Sequence, residues 1–256
     1  MKIAVLVKQV PGSESALPIS GEQTWIDEHM VSFVMNPPDN FALEEALLIN
    51  ETEGDGEVVI VSMGPARVKK VIREGLAKGA DRGIHLEEDG RIETDPLSIA
   101  KRFSSVLKEE NFDLILTGLQ SDDMGMGQTG ILIGELLGMS TATLAMETDV
   151  QNGSIRVKRE LESGWFQWVK MPLPASISIQ SGLNTPRYPS LKGIMGAKKK
   201  EVKVVSSGEH QTASKSQSID KVFVPQTTKQ TEVIEGDADA AVTRIVEILK
   251  SEIKIL

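Results

Sequence analysis

Short apolar runs alternate with helical patterns through the first 140 residues. Continuous apolar stretches bounded by charged residues occur at residues 2–8 (KIAVLVK) and 57–63 (EVVIVSM), and shorter ones at 83–88 (GIHLEE) and 112–118 (FDLILTG). Runs of this length without alternation are typical of strands that are covered on both faces. The pattern therefore predicts four buried strands.

Helical patterns with recognisable start and stop signals lie between these runs. They cover residues 39–54 with Asp39 or Asn40 as N-cap and Gly54 as stop, 64–81 with Pro65 in the first turn and Gly79 at the end, 95–111 capped by Asp95, and 128–138. Strands that alternate with helices predict right-handed βαβ crossovers. We expect an α/β fold, a three-layer domain with a mostly parallel sheet.

The pattern changes after residue 140. Two strand-like segments, 143–150 and 155–161, flank Asn152-Gly153, which predicts a β-hairpin extension. Further strands are predicted at 164–171, 174–180 and 201–205. The three aromatic residues of the first of these are most simply read as hairpin packing: Trp165, Phe166 and Trp168.

Residues 181–202 (SGLNTPRYPSLKGIMGAKKKEV) do not fit a regular element. Pro186, Pro189 and three glycines predict neither helix nor strand. The segment nevertheless carries Tyr188, Leu191, Ile194 and Met195, followed by a run of three lysines, on an acidic protein. Either it folds back over its own domain, or it meets another protein.

The last fifty residues have a different character. Residues 206–235 are rich in Ser, Thr, Gln and Lys with little apolar periodicity, which predicts a linker or an extended arm. Residues 237–256 form an amphipathic pattern whose apolar stripe is Val242, Ile245, Val246, Leu249 and Ile253. The predicted domains are thus 1–205, an α/β domain, and 206–256, a C-terminal arm ending in a helix that docks on its own domain or on a partner.

Composition narrows the possible functions. A net charge of −9 argues against general nucleic-acid binding, and the absence of cysteine excludes disulfides, cysteine-ligated metal and a thiol nucleophile. The three histidines, His29, His85 and His210, lie far apart, so no metal site is predicted. No run reaches the length of a membrane span, and the N-terminus does not resemble a signal peptide, so we expect a cytoplasmic protein without direct membrane insertion.

Catalytic motifs are lacking. The sequence contains no G-x-S-x-G and no H-E-x-x-H, and the paired carboxylates Glu44-Glu45 and Glu87-Glu88 are read as solvated faces. We therefore predict no catalytic residues and no substrate turnover of its own.

Three predicted loops share one end of the predicted sheet. In an open parallel sheet, ligands bind outside the carboxyl ends of the strands, which places residues 7–13, 62–65 and 117–130 together. The third loop has four glycines and leads into a helix, where N–H groups and the Gln128 and Thr129 side chains can hold a phosphate. It is not a Walker A loop, so a nucleotide site and a plain glycine-rich turn both remain open.

Several motifs together resemble one family. Residues 157–202 closely resemble the signature region of the beta subunit of electron transfer flavoproteins, and segments that match the same family in order occur at 7–13 (VKQVPGS), 35–47 (MNPPDNFALEEAL), 61–86 and 127–130 (GQTG). The resemblance covers roughly residues 1–205.

The resemblance implies a heterodimer with an alpha subunit. Such proteins take electrons from flavin dehydrogenases, often acyl-CoA dehydrogenases, and pass them to a quinone oxidoreductase or another acceptor. The redox FAD lies mainly in the alpha subunit, and the beta subunit buries one AMP, which a second FAD replaces in electron-bifurcating members. The other hypothesis is a free-standing nucleotide-binding α/β protein, which would not need the polar arm.

The resemblance also implies site residues. The nucleotide pocket falls on Leu6, Asn36, Met63, Asp123, Met124, Gly125, Met126, Gly127, Gln128 and Thr129. Glu160 matches a glutamate that contacts an arginine of the alpha subunit. The recognition loop falls on 187–200, with the partner-binding residues Arg187, Tyr188, Ile194, Met195, Lys198 and, as anchor, Leu191.

Two positions bear on the choice of nucleotide. Gly127 stands where AMP-type members usually have Asn, and Thr129 stands where bifurcating members usually have Val. Thr129 favours AMP, whereas Gly127 departs from that type.

Overall fold

The computed structural model describes residues 1–88, 94–206, 217–225 and 231–255. The chain divides into two compact units, Met1–Val222 and Phe223–Leu256. Within the described residues, no helix combines the length and the apolar character that crossing a bilayer requires. The functional division at residue 205 stays a prediction.

Eleven strands and six helices are described. The strands are β1 Lys2–Leu6, β2 Gln9–Pro11, β3 Phe33–Met35, β4 Glu57–Gly64, β5 Arg82–Glu87, β6 Leu114–Gly118, β7 Ser140–Gln151, β8 Ser154–Glu160, β9 Phe166–Pro172, β10 Ala175–Ile179 and β11 Val202–Ser206. The helices are α1 Pro37–Glu53, α2 Lys69–Lys78, α3 Pro96–Leu107, α4 Thr129–Leu136, α5 Leu191–Ala197 and α6 Ala238–Glu247.

The main sheet confirms the predicted three-layer α/β fold. Its nine strands have the order β11-β5-β4-β1-β6-β10-β7-β8-β9, with all pairs parallel up to β7 and antiparallel pairs from β7 to β9. Alternate residues of β1 enter two separate cores: Ile3 and Val5 pack with α1 and α2, and Ala4 and Leu6 pack with α3 and α4. β1 lies between β4 and β6, so the chain reverses its direction across the sheet beside β1.

The hairpin forms as predicted, but its aromatic residues do not form a core. Asn152 and Gly153 both have positive φ (39° and 76°), as a tight hairpin turn requires. Trp165, Phe166 and Trp168 are exposed, and basic side chains of β8 lie over two of the rings at 4.7 Å. Phe166 and Trp168 thus pack on side chains of the neighbouring strand, as the sequence interpretation expected, but on an exposed face, since β9 is the edge strand of the sheet.

Helix boundaries differ from the predictions at two starts. Asn36 is the N-cap of α1, since Pro37 and Pro38 occupy its first turn, and Asp39 lies inside that turn. A 3-10 turn, Ala66–Val68, follows Pro65 before α2 begins. The stops at Gly54 and Gly79 and the Asp95 cap of α3 are confirmed.

The segment 181–202 is only partly irregular. Leu191–Ala197 is the helix α5, capped by the Ser190 hydroxyl, which accepts from the Gly193 amide at 3.0 Å. The prediction of no helix is wrong here because both prolines precede the cap and restrict only the entry to the helix.

The unit from Phe223 holds the predicted terminal helix. α6 is capped by Asp237 and continues as a π-helical turn, Ile248–Glu252. Val242, Ile245 and Ile253 of the apolar stripe are exposed. Of the predicted arm, residues 207–216 and 226–230 lie outside the described residues, and 217–225 contain neither helix nor strand.

Candidate functional site

A deep cleft opens at the carboxyl ends of β1, β4 and β6. It encloses about 1160 Å³ of atom-free space including its mouth. This is the place where a doubly wound sheet binds ligands, since the chain reverses across the sheet there. The three loops that the sequence singled out contribute to its walls, among them Val7, Lys8, Met63, Thr117, Gln128 and Thr129.

Asp39 lies at the point where β1 and β6 end. Its Oδ2 accepts from the Lys8 amide at 2.7 Å, and its Oδ1 accepts from the Gly118 amide at 3.1 Å. Only 5% of the residue is exposed. Burial raises the pKa of the Asp39 carboxyl to about 7, although hydrogen bonds and the Lys8 charge act against the increase.

Asn36 holds the glycine-rich loop in place from outside the cleft. Its amide nitrogen donates to the Gln120 carbonyl at 3.0 Å, and its amide oxygen accepts from the Asp122 N–H at 3.0 Å. The side chain is buried. The loop after β6 is therefore positioned by a residue of the α1 cap.

The start of α4 has the features of an anion site. Gly127 has a φ of 63°, and no side chain caps the helix at Gln128. The first N–H groups of a helix have no partner within it, so they are free to bind an anion. The Thr117 hydroxyl is buried with no hydrogen-bond partner in the described part of the chain, and a Cβ at Gly130 would lie 2.6 Å from that oxygen.

Charged groups line the cleft in pairs. The Lys8 ammonium lies 2.6 Å from Asp123, and the Arg67 guanidinium lies 3.1 Å from Glu28. Arg67 also stacks on the Phe33 ring at 3.7 Å. Both cations can reorganise toward a bound phosphate only by loosening these pairs.

The cleft brings together most of the predicted nucleotide residues. Those that line it are Leu6, Met63, Asp123, Met124, Met126, Gly127, Gln128 and Thr129, whereas Asn36 and Gly125 do not. Asp39 also lines the cleft, and sequence reasoning missed it as a site residue. Thr117 begins the predicted loop 117–130, but its hydroxyl was not singled out. Asp39 could have been found from its position, because it is a carboxylate directly after Pro37-Pro38 at the edge of a predicted ligand site. Across the described ranges, no group of three or more His, Asp or Glu side chains is arranged to hold a metal ion.

The predicted recognition loop presents a compact apolar surface. Tyr188 is 94% exposed and Leu191 is 82% exposed, and Ile194, Met195 and Lys198 are exposed beside them. We call Tyr188, Leu191, Ile194 and Met195 the apolar patch. Most of the patch surface faces solvent, although Ile194 is 45% exposed and more than half of its surface is covered within the chain.

The inward face of α5 is fixed to α2. A Cβ at Gly193 would overlap the Ala77 carbonyl oxygen, so only glycine permits this approach. The Lys200 ammonium donates to the Leu76 and Ala80 carbonyls at the end of α2. Arg73 in turn donates to the Ala197 and Lys200 carbonyls.

Arg187 anchors the start of the loop to α1. Its guanidinium forms ion pairs with Glu44 at 2.9 Å and with Glu51, and its amide donates to Glu44 at 3.0 Å. The solvated-face interpretation of Glu44-Glu45 is wrong, because both side chains are buried and have partners. Glu44 pairs with Arg187, and Glu45 accepts hydrogen bonds from Asn184 and from Thr148 of β7. The hydrogen bonds that the Arg187 guanidinium donates to Glu51 and Glu44 raise its pKa.

The solvated-face interpretation of the second carboxylate pair, Glu87-Glu88, is also wrong. Glu88 is buried and forms an ion pair with Arg102 of α3, and Glu87 is half-buried beside Lys69.

Glu160, at the end of β8, accepts from the Gln180 side-chain amide at 2.8 Å and lies opposite Phe166 of β9.

Comparisons with known proteins agree on one family. Residues 23–210 match the electron transfer flavoprotein domain. The chain is 34% identical to the electron transfer flavoprotein subunit beta of Methylophilus methylotrophus, over 97% of this chain and 98% of that protein. It is 42% identical to the subunit of that name from Bradyrhizobium diazoefficiens, over 79% and 80% of the two chains. It is 35% identical to the mitochondrial subunit of Arabidopsis thaliana along the full length of both. The chain belongs to the electron transfer flavoprotein beta subunit family, a family of electron carriers that implies an alpha subunit as partner.

Proposed function

We propose that this chain, with its alpha subunit, carries electrons from flavin dehydrogenases to a quinone oxidoreductase or another acceptor. In this proposal it contributes a structural AMP site and a docking surface rather than substrate turnover. The observation that carries the proposal is the separation of two features on one domain. The cleft lies at the carboxyl ends of β1 and β6, whereas the apolar patch lies on α5 and the segment just before it, beside the end of α2.

The cleft suits a nucleoside monophosphate. The start of α4, with Gln128, Thr129 and the unpaired Thr117 hydroxyl, would hold one phosphate. Apolar side chains of Leu6 and Met63 line the same cleft and would cover a base. AMP has no redox chemistry, so its contribution is to hold the three strand-end loops together, and the redox FAD belongs mainly to the alpha subunit.

Nucleotide extraction tests the AMP site. The purified heterodimer is denatured and the released nucleotides are quantified, with one AMP and one FAD expected. Thr129→Val should lower AMP retention about tenfold or more, because a hydrogen bond to a charged group contributes ~1.5–3 kcal/mol. Thr52→Val, the same change in the last turn of α1 and outside the cleft, is the matched control.

A second candidate is an electron-bifurcating subunit with a second FAD in place of AMP. It is favoured by Gly127, which has a positive φ and stands where AMP-type members usually carry Asn. Two FAD and no AMP per heterodimer would establish this candidate and reject the AMP site.

The apolar patch is the proposed docking surface for the dehydrogenase. Leu191 is the proposed anchor, because it is the exposed apolar residue at the start of a helix held rigidly from behind. An apolar side chain at the centre of an interface, ringed by polar groups, typically carries much of the binding energy. Lys198 lies beside the patch and would steer an acidic partner surface.

The remaining partner contacts follow from the resemblance. Glu160 is proposed to contact an arginine of the alpha subunit, and residues 206–256 are proposed to bind that subunit through the exposed stripe of α6. Arg187 acts in this proposal by holding the docking loop on α1 rather than by contacting the dehydrogenase. Cytoplasmic localisation stays a prediction.

A further inference from the structure

We propose that Asp39 is the positioning residue of the nucleotide cleft and that its carboxyl takes up one proton from solvent when a nucleotide phosphate enters. The inference rests on the proposed nucleotide function. It concerns a residue that neither the family motif nor the composition singled out as part of the site.

Asp39 bridges the two strands between which the cleft opens. One carboxylate oxygen accepts the amide of Lys8, just beyond β1, and the other accepts the amide of Gly118, the last residue of β6. A Cβ at Gly118 would overlap the Asp39 carboxylate and Pro38, so β6 ends in a glycine that lets this side chain in. Just beyond the last pair of the β1–β6 ladder, Leu6 and Thr117, this one carboxyl group therefore ties together the two strand ends and the loops that would face a phosphate.

The surrounding cations are engaged elsewhere. The Lys8 ammonium pairs with Asp123 and Ser121, and Arg67 pairs with Glu28. On α1 itself, Glu44 and Glu45 are occupied by Arg187 and Asn184. The buried Asp39 carboxylate thus has the amides of Lys8 and Gly118 and the side chain of Asn36 for partners, and the Lys8 charge acts on it without a direct ion pair.

A phosphate in the same cleft adds negative charge beside this carboxylate. Like charges that share a poorly solvated site favour protonation of one of them. The pKa of Asp39 is already raised to about 7 by burial, so a further rise makes the proton bind at neutral pH. Asp39 is the group that gains the proton, and no bond is broken.

The sign of the pH dependence follows from linkage. If the pKa of Asp39 is about 7 in the free protein and higher in the complex, the affinity for AMP is constant well below pH 7 and falls as the pH rises through that value. Titration of the AMP phosphate, with a pKa of about 6, acts in the opposite direction and is complete at lower pH.

The test uses the nucleotide-stripped heterodimer with AMP as the probe. Calorimetric titrations between about pH 6 and about pH 8.5, in two buffers of different ionisation enthalpy, give the affinity and the number of protons taken up. Asp39→Asn is compared with Asp113→Asn. Asp113 is the matched control because it precedes β6 and accepts the Lys2 amide at 2.7 Å, tying the starts of β1 and β6 as Asp39 ties their ends.

We expect the wild type and Asp113→Asn to lose affinity by about three- to tenfold above neutrality and to take up protons. Asp39→Asn cannot take up the proton, so its affinity for AMP should show no such decline and its binding no such proton uptake. A wild-type profile in Asp39→Asn overturns the proposal. The absence of proton uptake by the wild type would also overturn it, and this measurement does not depend on whether a variant folds. A wild type that does not bind AMP at all instead rejects the proposed AMP site.

Discussion

Replacing Leu191 by alanine separates docking from folding. Leu191 is 82% exposed, so about a fifth of its surface is covered within the chain. Full burial of a leucine contributes ~1.5–3 kcal/mol, so the truncation should cost roughly 0.3–0.5 kcal/mol of folding stability. If docking covers the remaining surface, binding to the dehydrogenase should weaken by roughly 1.2–2.5 kcal/mol, or about 7- to 60-fold in Kd.

The assay measures both quantities on one preparation of the heterodimer. Thermal unfolding gives the stability, and the rate of electron transfer from a substrate-reduced acyl-CoA dehydrogenase, followed against its concentration, gives the apparent affinity. Leu136→Ala is the control, because Leu136 is an exposed leucine at the end of α4, outside the apolar patch. A marked drop in melting temperature with unchanged donor affinity would refute the docking role, and so would an equal effect of both variants on affinity.

Three further predictions concern the anchor, the terminal unit and acid stability. Arg187→Ala should destabilise the domain by up to ~3 kcal/mol in chemical denaturation, because it leaves the buried Glu44 without its cation; recovery in Arg187→Lys would be partial, and an unchanged midpoint would contradict the anchoring role. Ending the chain at Val222 should leave the first unit folded by circular dichroism while co-purification with the alpha subunit is lost, and undiminished co-purification would remove α6 from the interface. Burial opposes ionisation of Glu110, but hydrogen bonds and charge from Lys2 and Arg82 lower its pKa to about 2. Its contribution is therefore complete above the unfolded value of about 4.5 and is lost as the pH falls toward 2, so Glu110→Gln should flatten the acid limb of the stability profile, and parallel limbs for both proteins would contradict this.

The parallel sheet was predictable because short apolar runs in the local sequence indicate its strands. Runs such as residues 58–61 are apolar at every position, which is typical of a strand with helices on both faces. The turn at Asn152-Gly153 was equally predictable, since it needs two residues with positive φ. These features depend on residues adjacent in sequence.

What the sequence did not reveal depends on partners far along the chain. Asp39 looks like a helix cap until β1 and β6 supply its two donors, residues 8 and 118. Glu44 is predicted to be solvated from its local sequence, because its partner Arg187 lies 143 positions later in the chain. The glycines of α5 argue against a helix in the local sequence. In the structure, Gly193 is needed because only a glycine can approach the Ala77 carbonyl of α2 so closely.

The attachment of α5 has a consequence for how partner choice can change over evolutionary time. The helix is held to α2 through backbone carbonyls that receive Lys200 and Arg73, and through a glycine contact. None of these contacts involves a side chain of the apolar patch. The most exposed residues of the patch, Tyr188, Leu191 and Met195, are therefore free to vary while the fold stays constant. If the patch docks the donor as proposed, donor specificity can diverge, or be re-engineered, by substitution at these positions without a compensating change in the core.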